Sequence, residues 1–242
     1  MKPVISVVIP AYNEEKLITA CLQAVKHQTL PRTEYEILVI DNNSTDRTAE
    51  LARAAGATVI SYTEKQGFAC TKNFGGKHAQ GEIIAFTDAD SQPQKDWLET
   101  IQKLMENPQR MLLGGTILSN ENNVWIDFLF YLYDIVARVN QFLGIPLIWG
   151  PNTAMRKSAF DEIGGFNSDL KTSEDWEYTM RMQKRFGGKS CLYTPLLRVR
   201  TSPRKQENIF MLLQYSFIGV LNYCSIFLLR RSRTYGSPKH IR

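Results

Sequence analysis

Histidine and cysteine are scarce in this 242-residue chain, with three of the first and four of the second. Cys21, Cys70, Cys191 and Cys224 are scattered, with no CxxC pair and no histidine at ligand spacing. That excludes a zinc site of the usual pattern and gives no disulfide framework, so reduced thiols are expected. The chain also lacks low-complexity tracts and any internal repeat, which removes disordered and solenoid readings. A strong charge excess is missing too: 29 Lys+Arg against 24 Asp+Glu leave a formal net charge of +5. That suits an anionic ligand or an anionic lipid surface and is too mild to demand nucleic acid. No RNP-like aromatic motif or basic helix adds to it, so no nucleic-acid partner is expected. The opening residues, Met1 to Pro10, hold too short an apolar run for a signal peptide, and the run closes in a turn signal. A cytoplasmic catalytic part is therefore expected, at the cytosolic face of a membrane if the tail described below engages one.

What is present is a regular alternation. Short β-branched runs at Val4–Ile9, Glu36–Ile40, Thr58–Tyr62 and Glu82–Phe86 read as strands, the first two of them buried. Helical spacing follows each of the first three: Asn13-Glu14-Glu15 opens one helix, Thr45-Asp46 precedes another, and a third covers Ala69–Ala79. Strand–helix alternation predicts an α/β fold with a mainly parallel sheet wrapped by helices. Ligands of such sheets bind at the carboxyl ends of the strands. Asp41, Asp88 and Asp90 all fall there. Further on, Trp97–Met105 reads as a helix, Met111–Leu118 as a strand and Ser173–Phe186 as a helix. The aromatic-rich Val124–Phe142 stretch, which carries Asp127, Asp134 and Arg138, suits a groove-lining or surface-contacting helix better than a membrane span.

The chemistry concentrates at the strand ends. Asp88-Ala89-Asp90 places two carboxylates at i and i+2 in a turn after a rigid strand, where they can share one hard divalent cation. Aspartate is equally an ordinary turn residue. Tyr12, in the Pro10-Ala11-Tyr12 turn, can pack beside a nucleobase or simply pack. Asp41 can accept a hydrogen bond from a base imide, while Ser44, Thr45 and Asp46 read as caps of the next helix. Lys72 puts a cation where a diphosphate could lie. Glu174 and Asp175 open a helix, where the dipole alone favours carboxylates. Trp149 can stack on a sugar ring or serve the core, and Gly150 lets backbone approach a ligand.

The ordered set VVIPAYNEE, VIDNNSTD, KNFGGKHAQGEIIAFTDADSQP, GPNTAMRKSAFDEIGGFN and SEDWEYTMR resembles the family 2 glycosyltransferases over most of residues 4–186. The resemblance implies a GT-A fold and inverting transfer of one sugar from a UDP- or GDP-sugar donor, with Mg²⁺ or Mn²⁺. It implies a donor-nucleotide set of Pro10, Ala11, Tyr12, Glu14, Asp41, Lys72, Asp88 and Ala89, with Asp88 and Asp90 on the metal. It makes Asp175 the catalytic base, and sets Trp149, Gly150, Asn152 and Glu174 on the acceptor side. Residues 1–118 would then be the nucleotide-sugar-binding half and 119–205 the acceptor half of one domain. The implied acceptor is a sugar, a lipid or a lipid-linked sugar. Where the family commonly has arginine before asparagine, this chain has Lys72-Asn73. It lacks the Q-x-x-R-W signature of processive synthases, which disfavours polymer synthesis. Some relatives place a histidine near the metal late in the domain, but Arg198–Lys205 holds none and offers arginines to an anionic ligand or to solvent.

Two other classes fit less well. A nucleotidyltransferase would carry a glycine-rich basic loop after the first strand, where Pro10-Ala11-Tyr12-Asn13 stands, and a dinucleotide-binding dehydrogenase would carry GxGxxG there. A non-catalytic sugar-nucleotide-binding protein need not keep Asp88, Asp90 and Asp175 together. The tail, 206–242, is separate in character. Ile209 to Leu229 carries no charge, and it is flanked by Arg204 and Lys205 and by Arg230, Arg231 and Arg233. A membrane span, an interfacial helix, a hydrophobic hairpin and a helix packed on the protein's own core are all open to it.

Overall fold

A computed structural model of the chain describes residues 2–65, 67–121, 123–170 and 173–203. The tail, with the alternatives read for it and the expected contacts of Arg204 and Lys205, lies outside the described residues. Eight strands form one mixed sheet in the order β3-β2-β1-β4-β7-β6-β8-β5. They are β1 (Ile5–Ala11), β2 (Tyr35–Asp41), β3 (Thr58–Ser61), β4 (Ile83–Phe86), β5 (Ser91–Pro93), β6 (Leu112–Ser119), β7 (Thr153–Arg156) and β8 (Cys191–Thr201). The first four pair in parallel, β7 runs antiparallel to both β4 and β6, and β8 runs parallel to β6.

Successive side chains of a strand point to opposite faces, and both faces of this sheet are covered. Ile5, Val7 and Ile9 of β1, with Ile37 and Val39 of β2, meet α1 (Ile18–Lys26), α2 (Thr48–Ala54) and α4 (Trp97–Met105) through Ile18, Leu22, Ala52, Trp97 and Ile101. On the other face, Val8, Leu38, Ile40, Ile84 and Phe86 meet α3 (Phe68–His78), α6 (Lys157–Ile163) and α7 (Glu174–Phe186). The helix α5 (Val124–Phe142) lies on β6 and β8.

The expected strands and helices are in place, with differences that have local causes. The first helix begins at Ile18, not at Asn13. Asn13 has a left-handed backbone, φ 53°, and the amides of Asn13, Glu14 and Glu15 are taken by side chains of the loop after β2. A left-handed φ is not helical, so the helix cannot begin at Asn13. Three strands and a helix were not foreseen: β5, β7, β8 and α6. Pro195 interrupts β8 and coincides with the register shift between Gly115 and Thr116 on β6, so the sequence pattern of that strand is broken.

Candidate active site

The ends of β1 and β2 are neighbours in register, Ala11 beside Asp41, and the Asn42 amide donates to the Ala11 carbonyl at 2.9 Å. The two following loops are laced together. Asn13 Oδ1 accepts from the Thr45 amide at 2.8 Å, the Glu14 amide donates to Thr48 Oγ1 at 2.7 Å, and the Glu15 amide donates to Asp46 Oδ2 at 3.1 Å. Ser44 and Thr45 therefore bind the loop of β1 instead of capping α2, whose N-cap is Arg47. Asp46 does both jobs, since its Oδ1 accepts from the Thr48 amide at 2.9 Å. Pro10 and Ala11 are buried at the end of β1, Tyr12 is exposed beside them, and Glu14 is half-buried. Asp41 is buried, and its Oδ1 accepts from the Ser44 amide at 3.3 Å.

Asp88, Ala89 and Asp90 follow β4 on the same rim. The turn closes through the Ser91 amide on the Asp88 carbonyl at 3.0 Å, and Cys21 Sγ donates to that carbonyl at 3.4 Å. Burial, then the charges of Asp90 and Asp88, push the Cys21 thiol far above its usual value, so it stays a neutral donor. From the far edge of the sheet, Thr201 Oγ1 donates to Asp90 Oδ1 at 3.2 Å, and the Ser202 amide donates to the Asp90 carbonyl at 3.3 Å. Sequence spacing gave no signal for this clamp, because it crosses more than a hundred residues. No cluster of three or more acidic, histidine or cysteine side chains with metal-ligand geometry occurs among the described residues. Two carboxylates on a braced turn suit a hard cation that takes its remaining ligands from water and phosphate, as Mg²⁺ and Mn²⁺ do.

Lys72 is the deepest charge of the site, with its side chain only 2% exposed. It is carried there by α3, which lies close on the sheet: a Cβ on Gly75 would come within 2.4 Å of Val8 Cγ1. Lys72 Nζ donates to Asp175 Oδ1 at 2.9 Å, stands 3.6 Å from Glu174 Oε1, and lies 5.0 Å from the centre of the Phe166 ring. Burial would lower the lysine pKa, but Asp175, Glu174 and Asp88 together raise it well above the ordinary value. Glu174 is pushed up, first by burial and then by the charge of Asp175, with Lys72 pulling the other way. The charge of Asp88 is felt at both Lys72 and Glu174, which makes the acid pair and the Lys72–Asp175 pair one electrostatic site.

Asn73, beside Lys72, grips the backbone of Phe166 from both sides, donating to its carbonyl at 2.8 Å and accepting from its amide at 2.7 Å. That fixes the Phe166 ring under the ammonium. Gly150 faces the pair so closely that a Cβ there would lie 2.8 Å from both Asp175 Oδ2 and Lys72 Nζ. Trp149 stands between Tyr133 of α5 and Trp176 of α7, at centroid distances of 5.5 and 5.6 Å. Tyr133 and Trp176 were not singled out from the sequence, where they read as members of amphipathic helices. Asn152 departs from its expected place at an acceptor. It is fully buried, accepting from Trp97 Nε1 at 2.9 Å and donating to the carbonyls of Thr116 and Leu197, so its side chain is committed to joining β6, β8 and α4. Arg198 and Arg200 alternate with buried Leu197 and Val199 and are exposed, which favours the solvent-facing alternative for them.

Comparison with known proteins decides the family. The model of "Glycosyl transferase family 2" matches residues 6–164. The chain belongs to glycosyl transferase family 2. Glycosyltransferase AglE of Haloferax volcanii is 38% identical over 120 residues, which cover 48% of this chain and 40% of that protein. A Methanococcus voltae family member, named dolichyl N-acetyl-alpha-D-glucosaminyl phosphate 3-beta-D-2,3-diacetamido-2,3-dideoxy-beta-D-glucuronosyltransferase, is 30% identical over 200 residues, covering 74% of this chain and 61% of that protein. The chain thus spans between 40% and 61% of the length of these curated relatives. Among solved structures, the mannosyltransferase PcManGT from Pyrobaculum calidifontis, in complex with GDP-Man and Mn²⁺, superposes with a TM-score of 0.76 at 23% identity, covering 97% of this chain and 66% of that one. The fold is GT-A.

Proposed function

We propose that the chain transfers one sugar, with inversion, from a UDP- or GDP-sugar to an acceptor hydroxyl. Residues 1–118 form the donor half and 119–205 the acceptor half. The donor nucleotide lies along the rim of Pro10, Ala11, Tyr12, Glu14 and Asp41, with its diphosphate toward Asp88, Ala89 and Lys72. Asp88 and Asp90 would hold Mg²⁺ or Mn²⁺, which neutralises charge on the leaving diphosphate when bound. The complex of the Pyrobaculum mannosyltransferase with GDP-Man and Mn²⁺ supports this reading.

Asp175 is the base. Lys72 occupies Oδ1 and fixes the carboxylate, and Oδ2 faces Gly150. An acceptor hydroxyl brought to that side gives its proton to Asp175 as its oxygen attacks the anomeric carbon from the face opposite the leaving group. Lys72, already charged and pre-placed, opposes the charge that develops on the diphosphate with little reorganisation. Trp149, with Tyr133 and Trp176, supplies the apolar wall on the acceptor side, and Glu174 supports Asp175 through their shared lysine. The dolichyl-linked acceptor in the name of the Methanococcus relative supports a lipid-linked acceptor here, with the basic-flanked 206–242 tail at the cytosolic face of a membrane. No described helix is long and apolar enough to cross one.

The observation that carries the reading is the buried Lys72–Asp175 pair within the field of Asp88. The test is donor turnover with Mn²⁺ over a panel of UDP- and GDP-sugars, beside thermal-shift binding of the same donors. Wild type should bind and turn over one donor class, and Asp175→Asn should bind it and turn over about 10²–10⁴ less, the usual worth of a general base. Metal-dependent binding without turnover towards any acceptor would leave a sugar-nucleotide-binding protein instead.

A further inference from the structure

Asp90 is held by the end of β8. Thr201 Oγ1 donates to Asp90 Oδ1 at 3.2 Å, and the next residue, Ser202, donates its amide to the Asp90 carbonyl at 3.3 Å. Behind them, Ser91 Oγ donates to Thr201 Oγ1 at 2.8 Å and also lies 3.3 Å from Asp90 Oδ1. A hydroxyl has one proton to give and lone pairs to receive others. Ser91 is nearer to Thr201 than to Asp90, so its proton goes to Thr201 and the Thr201 proton goes on to the carboxylate. The two hydroxyls act in series on one carboxylate oxygen, each bond strengthening the next. Ser91 and Asp90 are both buried, so the series is shielded from water.

We propose that Thr201, with Ser91 behind it, is a positioning residue for the divalent cation: it holds Asp90 in the orientation that binds Mg²⁺ or Mn²⁺. This rests on the reading of Asp88 and Asp90 as the cation's ligands. A carboxylate that binds metal is itself fixed by a hydrogen-bond partner, and loss of that partner commonly weakens metal affinity about 10–100-fold. Two features suit Thr201 to the task. The first is charge. Its hydroxyl is neutral, so it orients the carboxylate without cancelling the negative charge that attracts a hard cation. A lysine or arginine in its place would compete with the cation.

The second feature is rigidity. Thr201 has a register partner on each side, Ser91 of β5 and Ser119 of β6. The Asn120 amide donates to the Thr201 carbonyl at 3.1 Å, and Arg200 Nη1 donates to the Ser119 carbonyl at 3.2 Å. β5 itself has only three residues and lies at the edge of the sheet, so the turn that carries Asp90 is steadied from β8. A cross-strand bond between serine and threonine is also an ordinary way to fasten an edge strand. That alternative predicts a change in stability and none in metal affinity.

The experiment measures Mn²⁺ affinity directly in the full-length protein, by loss of the free-ion electron paramagnetic resonance signal. Mn²⁺ is titrated alone and then with UDP or GDP present, and a protein-free titration corrects for Mn²⁺ held by the nucleotide. Thr201→Val keeps the shape and removes the hydroxyl, while Thr201→Ser keeps the hydroxyl. Ser91→Ala removes the donor behind it, and Asp90→Asn changes the ligand itself. Thr201→Val should weaken Mn²⁺ binding about tenfold or more, and Thr201→Ser should restore most of the wild-type affinity. Ser91→Ala should fall between them. Affinity for UDP and GDP in EDTA should be the same in wild type and Thr201→Val, because the residue acts through the cation.

Melting curves in EDTA report the purely structural share. A lowered melting temperature with wild-type Mn²⁺ affinity in Thr201→Val shows that the hydroxyls only fasten β5 to β8, and it overturns the proposal. Tighter Mn²⁺ binding in Thr201→Val overturns it too, since the hydroxyl would then hold Asp90 away from the cation. If Thr201→Val does not fold, wild-type Mn²⁺ affinity in Ser91→Ala is the overturning result. Asp90→Asn separates the proposal from the reading beneath it. Unchanged Mn²⁺ affinity in Asp90→Asn removes Asp90 from the cation and the proposal with it. Weakening by Asp90→Asn with none by Thr201→Val overturns the proposal alone.

Discussion

Lys72 of α3 and Asp175 of α7 are 103 residues apart in sequence and 2.9 Å apart between Nζ and Oδ1. The contact is buried on the lysine side and a fifth or less exposed on the aspartate side. A buried ammonium is costly to desolvate, and its cost is offset here by two carboxylates and a ring face. The pair therefore does two things at once. It ties α3 to α7 across the opening at the strand ends, and it holds one oxygen of the proposed base in a fixed direction.

Removing the cation tests the structural half of that statement. Lys72→Met keeps much of the side-chain volume and leaves Asp175 and Glu174 facing each other without it. Breaking a buried pair from one side costs about 3–5 kcal/mol, and most of that loss is expected here. Urea unfolding should show a lowered midpoint with an unchanged slope. A loss under about 0.5 kcal/mol, the range of ordinary surface changes, would show that the pair adds nothing to the fold.

Gly150 tests the geometry of the opening. A Cβ there would meet Asp175 Oδ2 and Lys72 Nζ, each at 2.8 Å, so Gly150→Ala must push the pair apart or shift the chain after Trp149. Overpacking of this kind costs about 1–3 kcal/mol. A displacement near 1 Å at a reacting group can cost about 10²-fold in rate, so turnover should fall further than stability does. Steady-state transfer beside a melting curve separates the two, and wild-type turnover in Gly150→Ala would place the reacting groups elsewhere.

The sheet was legible because its strands are short apolar runs closed by turn residues, and Asp41, Asp88 and Asp90 could be set on one rim from strand ends alone. Trp97–Met105 and Val124–Phe142 were legible to the residue because their periodicity is uninterrupted. What stayed hidden is what depends on distant segments meeting. Thr201 on Asp90, Cys21 on the Asp88 carbonyl and the grip of Asn73 on Phe166 are ordinary residues whose partners lie far along the chain. The bonding of Asn152 was hidden for the same reason: only the packed strands show that its side-chain amide is used up. β8 was hidden by Pro195, which breaks the pattern of a strand that is otherwise buried on alternate residues.

The proposed metal site makes a prediction of its own. Two carboxylates alone make a weak cation site, so donor and cation should bind together, each improving the affinity of the other. Titration of the donor by calorimetry should show binding with Mn²⁺ and a loss of about tenfold or more with EDTA, a coupling of 1–3 kcal/mol being common. Asp90→Asn should reproduce the EDTA result even in excess Mn²⁺. Equal donor affinity with and without metal would remove Asp88 and Asp90 from the cation's coordination and leave Lys72 as the phosphate contact.

Glu174 gives the pH dependence. Its carboxyl is raised above the ordinary glutamate value, by burial first and by Asp175 second. A carboxyl raised in the folded state adds stability that is complete below its unfolded pKa and is lost as pH rises through the raised value. At neutral pH, then, Glu174 is a cost to the fold even with Lys72 nearby. Glu174→Gln keeps the shape and the hydrogen-bonding capacity without the charge. It should melt higher than wild type at pH 7, and the difference should shrink as pH falls and vanish below the ordinary glutamate range. Lys72 keeps its closer contact with Asp175, at 2.9 Å, so turnover at pH 7 should fall little. A variant that melts lower than wild type at pH 7 would mean that attraction to Lys72 outweighs burial at Glu174. The site would then depend on both carboxylates being charged.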